Sequence, residues 1–146
     1  MASHDVFSPA KRAEIMRSVK SSNTAPERAV RAAVCALGYP RRYRLNSRAA
    51  PGKPDLVIKA LRKAIFVHGC FWHGHDCKRG AREPKTNAAY WRAKIAANRQ
   101  RDLATRIALK RAGWSALTIW ECETRDEAAL KRKLARFLDQ GVRSMR

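Results

Sequence analysis

Ten consecutive residues, His68-Gly69-Cys70-Phe71-Trp72-His73-Gly74-His75-Asp76-Cys77, hold three of the chain's four histidines and two of its four cysteines. Residues this rare do not cluster so tightly without a reason. Cys70, His75 and Cys77 offer three soft or borderline metal ligands within one loop. Cys122, at the end of the last predicted strand, can return as a fourth. Three thiolates and one imidazole make a closed tetrahedron, the pattern of a structural zinc site. Two plainer readings stay open. Cys70 and Cys77 could form a disulfide, which a reducing compartment disfavours, and Cys122 could be a small buried residue at a strand end. Cys35 falls on the apolar side of a predicted helix and reads as core.

His68 and His73 lie outside that ligand set. Either they support the metal loop, or they pair with Asp55. Asp55 opens one predicted strand and His68 closes the next, so antiparallel pairing brings the two to one edge of the sheet. A carboxylate that can hold Mg²⁺, beside imidazoles that can activate water or steady a phosphate, suits metal-assisted phosphodiester hydrolysis. Pro54-Asp55, after Pro51-Gly52-Lys53, is also the strand entry of PD-(D/E)xK nucleases. Ala64 to His68, however, holds neither the second acid nor the lysine of that pattern. Either the site is of another kind, or histidines have taken over those roles.

Phe71 and Trp72 sit in a polar, glycine-rich loop where a core role is awkward, and Trp91 follows on the first turns of a long helix. On a basic surface such side chains can wedge between base steps; alternatively they pack over the metal loop. Trp114 and Trp120 fall in a strand and read as core.

The partner is indicated by charge. The 146 residues include 32 Lys plus Arg against 12 Asp plus Glu, a formal net charge of +20. Such a chain attracts polyanions and releases their condensed counterions, and nucleic acid is the expected partner. A hydrophobic content of 45% supports a folded core and excludes a disordered basic tail. No apolar run approaches the ~20 residues of a membrane helix, and the N-terminus has no apolar signal core. The expectation is one cytoplasmic domain over 1–146, with no membrane partner.

The elements that must position these residues follow from pattern. Ser8-Pro9 opens a short helix carrying Ile15, Met16 and Val19, within an N-terminal segment 1–20 expected to contact DNA. Thr24 and Glu27 form a capping box for a helix through Leu37, with Val30, Ala33 and Val34 inward. Tyr43 to Leu45 is a possible edge strand. Asp55 to Ile58 and Ala64 to Val67 form a buried hairpin around Leu61-Arg62-Lys63. A loop over 68–86 precedes a long helix from Asn87 to Ala112, breakable in its middle. Trp114 to Cys122 is a strand that the long helix leads back into the centre of the sheet. Thr124 and Glu127 cap a last helix through Leu138, leaving 139–146 as a tail. The order α-α-β-β-β-loop-α-β-α predicts an α/β fold, a mixed central sheet with helices on both faces.

Pro51 to Asp55, the string from Phe66 to Cys77, Gly113-Trp114 and Trp120-Glu121-Cys122 together resemble the very short patch repair endonucleases, over roughly residues 8–138. The resemblance implies a single endonuclease domain of restriction-endonuclease-like fold with a structural zinc. It implies recognition of T:G mismatches left by deamination of 5-methylcytosine, and a Mg²⁺-dependent nick 5′ of the mismatched thymine. Carried across by position, Asp55 ligates Mg²⁺ with the main-chain carbonyl of Val67 beside it. His73 is the general base and His68 acts at the scissile phosphate. Glu27 and Asp102 hold water at the metal or orient the histidine. Cys70, His75, Cys77 and Cys122 bind zinc, while Phe71, Trp72 and Trp91 intercalate beside the mismatch. Val67 stands where a threonine is expected, and Gly74 and Asp76 interrupt a run that is often richer in histidine. The implied partners are a double-stranded DNA with a T:G mismatch, a cognate cytosine-5 methyltransferase and mismatch-repair proteins, met by a monomer.

The competing reading from another class is a zinc-stabilised DNA-binding module without catalysis. It would keep the four zinc ligands and the aromatics but have no use for Asp55, His68 and His73 together. A basic RNA-binding protein would not explain this loop beside the Pro54-Asp55 strand.

Overall fold

The computed structural model describes residues 24–39, 44–45, 48–78, 80–81 and 85–144. The N-terminal helix expected from Ser8 lies outside them. Helix α1 spans Ala25–Ala36. Its N-cap is Thr24, whose hydroxyl accepts from the Glu27 N–H at 3.4 Å, and Pro26 sits in the first turn. Val30, Ala33 and Val34 form its buried stripe. Cys35, expected in the core, is exposed: it sits about 100° round the helix from Val34 and so leaves the stripe.

Strands β1 (Arg44–Leu45), β2 (Leu56–Ile58) and β3 (Lys63–His68) form an antiparallel meander. Between β2 and β3 a 3₁₀ turn, Lys59–Leu61, is closed by Arg62 in the left-handed region at φ 51°. Arg62 is held there by a 2.7 Å bond from its guanidinium to the Ala112 carbonyl and by the Trp114 ring beneath it. Helix α2, Ala88–Arg111, runs unbroken and returns the chain to β4, Ser115–Trp120.

Sheet order is β1-β2-β3-β4, with β4 parallel to β3. The last strand is therefore at the edge of the sheet among the described residues, not at its centre as expected. β2 already occupies one side of β3, so the crossover through α2 can add β4 only on the other.

Helix α3, Glu127–Ser144, continues beyond the stop expected at Leu138. Gly141 costs about 1 kcal/mol inside a helix and does not by itself end one. The predicted Thr124–Glu127 cap is also displaced. Thr124 bonds the Glu121 carbonyl within a 3₁₀ turn over Glu121–Arg125, and Asp126 caps α3 by accepting from the Ala129 N–H at 3.1 Å.

Two apolar layers flank the sheet. On one face Val30, Val34, Leu130, Leu134 and Leu138 of α1 and α3 pack on Leu56, Ile65 and Ile119. On the other, Leu109 of α2 packs on Val57 and Ala64, with Phe66 and Trp114 at the margin. Lys63 is 3% exposed on the first face; its ammonium bonds the Phe137 carbonyl, and burial lowers its pKa. No helix among the described residues is long and apolar enough to cross a membrane.

Candidate active site and metal centre

Strand alternation sets the site. Ala64, Phe66 and His68 share the α2 face of β3, and Val57 lies on the same face of β2. Leu56 is registered with Ile65, which brings Asp55 alongside the end of β3. There its carboxylate accepts from the Val67 N–H at 2.7 Å. Burial pushes the Asp55 carboxyl up from 3.8 to about 6, the Val67 bond opposes this, and nearby Glu27 raises it further. Glu27, on the first turn of α1, thus faces Asp55 as well as sitting in the cap. A half-buried acid that desolvation and a neighbouring carboxylate both disfavour as an anion gains much from a cation. The Asp55 carboxylate fits a divalent metal at this point.

One step along β3, His68 stacks on His73 with ring centroids 3.8 Å apart and planes 6° from parallel. The Asp102 carboxylate, from α2, reaches His73 Nδ1 at 2.6 Å. An ionised carboxylate only accepts, so Nδ1 of His73 is the donor in this contact and Nε2 is the ring nitrogen left for other partners. His68 is different. Burial first, then His73 and Arg106, hold its pKa down at about 4, with Asp102 opposing them. Its Nδ1 lies 3.9 Å from Asp102, too far for a hydrogen bond. Neutral His68 makes no ion pair there. The arrangement leaves His73 able to take up a proton without a second imidazolium stacked against it.

The second cluster adjoins the first. Donor atoms of Cys70, His75, Cys77 and Cys122 all lie within 4.8 Å of one another. A tetrahedral site with ~2.3 Å metal–sulfur bonds has edges of about 3.7 Å. The Cys122 Sγ to His75 Nδ1 separation is 3.7 Å. Without a cation these thiols crowd: burial pushes Cys70 up to about 12 and Cys122 upward as well, with neighbouring thiols adding to both. The Cys122 and Gly80 N–H groups point at the sulfurs of Cys70 and Cys77, at 3.4 and 3.3 Å. Such donors stabilise thiolates, as expected of a metal knuckle. Gly80 closes it: a Cβ there would lie 1.9 Å from the His75 carbonyl oxygen, so no other residue fits. A cluster of this make-up can hold a structural metal.

The structure brings together all the candidate residues of the central loop, and two that pattern did not supply join them. Trp120, expected in the core, instead stacks on His75 at 4.2 Å and meets His68 edge-on at 5.4 Å. It is a wall common to both clusters. Alternation assigns its face of the strand, but nothing in sequence says that this face meets histidines. Phe71, Trp72 and Trp91 do converge, with Trp72 and Trp91 centroids 5.2 Å apart. Tyr90 extends the group, 5.0 Å from Trp91 and 39% exposed. A bond of 2.8 Å from Asn98 to the Trp72 carbonyl fixes the loop to α2. Trp114 lies apart, under Arg62.

An α/β domain that gathers a carboxylate, a histidine pair with one member held by a second carboxylate, and a cysteine-rich cluster able to hold a metal has the parts of a hydrolytic site at one strand end. Residues 4–79 match the family model of the DNA mismatch endonuclease Vsr. The chain is 45% identical to the type II nicking enzyme V.XorIIP of Xanthomonas oryzae pv. oryzae, over 92% of this chain and 97% of that relative. It is 37% identical to V.NmeAIP of Neisseria meningitidis serogroup A, over 92% and 94% respectively. With the DNA mismatch endonuclease Vsr of Escherichia coli K12 it shares 37% identity over 86% of this chain and 79% of the relative. The chain belongs to the Vsr endonuclease family, whose members are DNA-cleaving hydrolases.

Proposed function

We propose that this chain nicks double-stranded DNA on the 5′ side of the thymine in T:G mismatches, using Mg²⁺, as the incision step of very short patch repair. The observation that carries the reading is the meeting of Asp55 with the His68–His73–Asp102 cluster at the end of β3. A module that only bound DNA would gain nothing from a buried acid, or from a carboxylate that sets the tautomer of a stacked histidine.

Asp55 and the Val67 carbonyl would hold Mg²⁺, which would supply positive charge against the charge that builds on the scissile phosphate. Asp102 fixes His73 with Nε2 free, and Nε2 takes a proton from the attacking water. The new O–P bond forms as the P–O3′ bond breaks, and the departing O3′ oxygen takes a proton from a solvent water, leaving a 3′-hydroxyl and a 5′-phosphate. His68, neutral and stacked under His73, lets that proton arrive without like-charge repulsion and presents its own ring to the phosphate. Glu27, close to Asp55, helps order water there. The four-ligand cluster holds zinc, because three thiolates and an imidazole in a closed tetrahedron suit that ion. Its role is to fix the loop that carries His73, Phe71 and Trp72. The aromatic group wedges into the stack beside the mismatch, where a wobble pair lowers the cost of unstacking. Restriction-endonuclease-like architecture is the fold this reading entails.

The same reading entails a cognate cytosine-5 methyltransferase upstream and mismatch-repair proteins downstream, with the enzyme acting as a monomer in the cytoplasm. The test is nicking of a panel of duplexes with T:G mismatches in different flanking sequences, with and without Mg²⁺. A single nick 5′ of the thymine, absent from matched duplex, is expected. Double-strand cutting, or equal cutting of matched DNA, would overturn the reading.

A further inference from the structure

Beside the catalytic histidines a cleft of about 260 Å³ opens between α2 and the sheet. Phe66 and Thr118, registered neighbours on β3 and β4, form its floor, and Thr105 and Arg106 form its α2 wall. His68 and Asp102 stand at one end. It is an active-site extension that the chemistry described above leaves without a role.

We propose that this cleft binds one nucleotide unit of the strand being cut, next to the scissile phosphate, with Arg106 as the anchor for its phosphate. The proposal rests on the nicking activity proposed above. Five observations carry it. The cleft shares His68 with the reaction site, so a strand lying over His68 is continuous with it. It has room for one nucleotide and not for a duplex.

Arg106 lies one helical turn after Asp102, yet no ion pair within 4 Å joins the two. The Asp102 carboxylate is committed to His73 at 2.6 Å. Among the described residues no hydrogen bond or ion pair occupies the Arg106 guanidinium, and Arg106 lines the same cleft as His68. A guanidinium placed beside a reaction centre and not neutralised by its own helix is suited to a phosphate from outside. The hydroxyls of Thr105 and Thr118 supply further donors, and Phe66 supplies an apolar surface for sugar or base.

The wall is also held in place by close packing. Gly52 approaches α2 so closely that a Cβ on it would lie 2.1 Å from Thr105 Cγ2. The loop leading to Asp55 and the wall carrying Arg106 therefore cannot shift independently. Contacts to phosphate fix the register of a strand without reading its sequence. The role of the cleft is thus to set which phosphodiester reaches His68 and His73, not which base is recognised.

The experiment combines the variants Arg106→Ala and Arg106→Lys with T:G duplexes in which one phosphate at a time is replaced by an uncharged methylphosphonate. R106A should raise KM for nicking roughly tenfold with kcat within about threefold, and lower the salt dependence of binding by about one counterion. R106K should keep that salt dependence. The methylphosphonate at one position flanking the nick should weaken wild-type binding and leave R106A unaffected, while at other positions the two losses multiply. If losses multiply at every position, the assignment of the cleft is wrong. A free mononucleotide as the true occupant would appear as inhibition by thymidine monophosphate that R106A abolishes, with no coupled position along the strand; that result also overturns it. Failure of the wild-type chain to nick the unmodified duplex would refute the underlying activity instead, which separates the two failures.

Discussion

Replacing Asp55 with asparagine should make the protein more stable while it abolishes cleavage. The carboxyl rises from 3.8 to about 6 on folding, chiefly through burial. At about 1.36 kcal/mol for each pH unit, the ionised form is disfavoured in the fold by about 3 kcal/mol at neutral pH. Asparagine keeps the shape and can still accept from the Val67 N–H, which Asp55 meets at 2.7 Å. It carries no charge to desolvate. The direction with pH follows from linkage. The folded chain holds this proton more tightly than the unfolded chain, so stability is greatest below 3.8 and falls as pH rises to about 6. The amide of the D55N variant does not titrate. Its advantage should therefore be about 1–3 kcal/mol near pH 7.5 and about half as large near pH 5. The assay is urea unfolding followed by tryptophan fluorescence at the two pH values, without added Mg²⁺. Adding Mg²⁺ should then stabilise the wild type alone, because only its folded state gains the ligand. An asparagine variant that is no more stable near neutral pH, or whose advantage does not shrink with acid, would refute the account of Asp55 as a charge buried for the sake of a cation.

Three further outcomes are expected. Purified protein should carry one zinc, and Cys122→Ser should lose it together with several kcal/mol of stability, as read by metal analysis and thermal unfolding; a folded, zinc-free wild type would contradict this. His73→Ala should lower the nicking rate by about 10²–10⁴ with duplex binding retained, and raising the pH should not restore it. Trp72→Ala should reduce the preference for T:G over matched duplex by about 1–3 kcal/mol, more than it reduces total affinity at low salt; an unchanged preference would make Trp72 a cover for the metal loop and nothing else.

The residues that could be read from sequence were those whose meaning is local. The window from His68 to Cys77 needs no partner to look like a metal loop, and Asp55 and His68 meet through hairpin geometry, which alternation and turn signals specify. Asp102 could not be found that way. On α2 it is one charged residue among many, and resemblance alone nominated it; what selects it is its 2.6 Å approach to a histidine 29 positions away. Errors arose where two local signals competed. Thr124 and Asp126 both offer an N-cap, and the 3₁₀ turn from Glu121 settles the choice, with Glu123 accepting from the Trp120 N–H and from Lys133. Gly80 carries no pattern at all, since its value lies in the carbonyl it passes.

The position of the metal knuckle follows from strand pairing. The parallel register sets His68 opposite Trp120. Cys70 lies two residues beyond the first and Cys122 two beyond the second, so the candidate ligands extend from the paired ends of adjacent strands. A metal gripping both cysteines would tie those ends together. It would do so where β4, an edge strand with no neighbour beyond it among the described residues, depends on β3 alone for pairing. The same tie would hold Trp120 against His75 and His68. A metal so placed would do more than close a loop: it would keep the end of β3, with its histidine, aligned where the sheet's own hydrogen bonds would leave it free to fray.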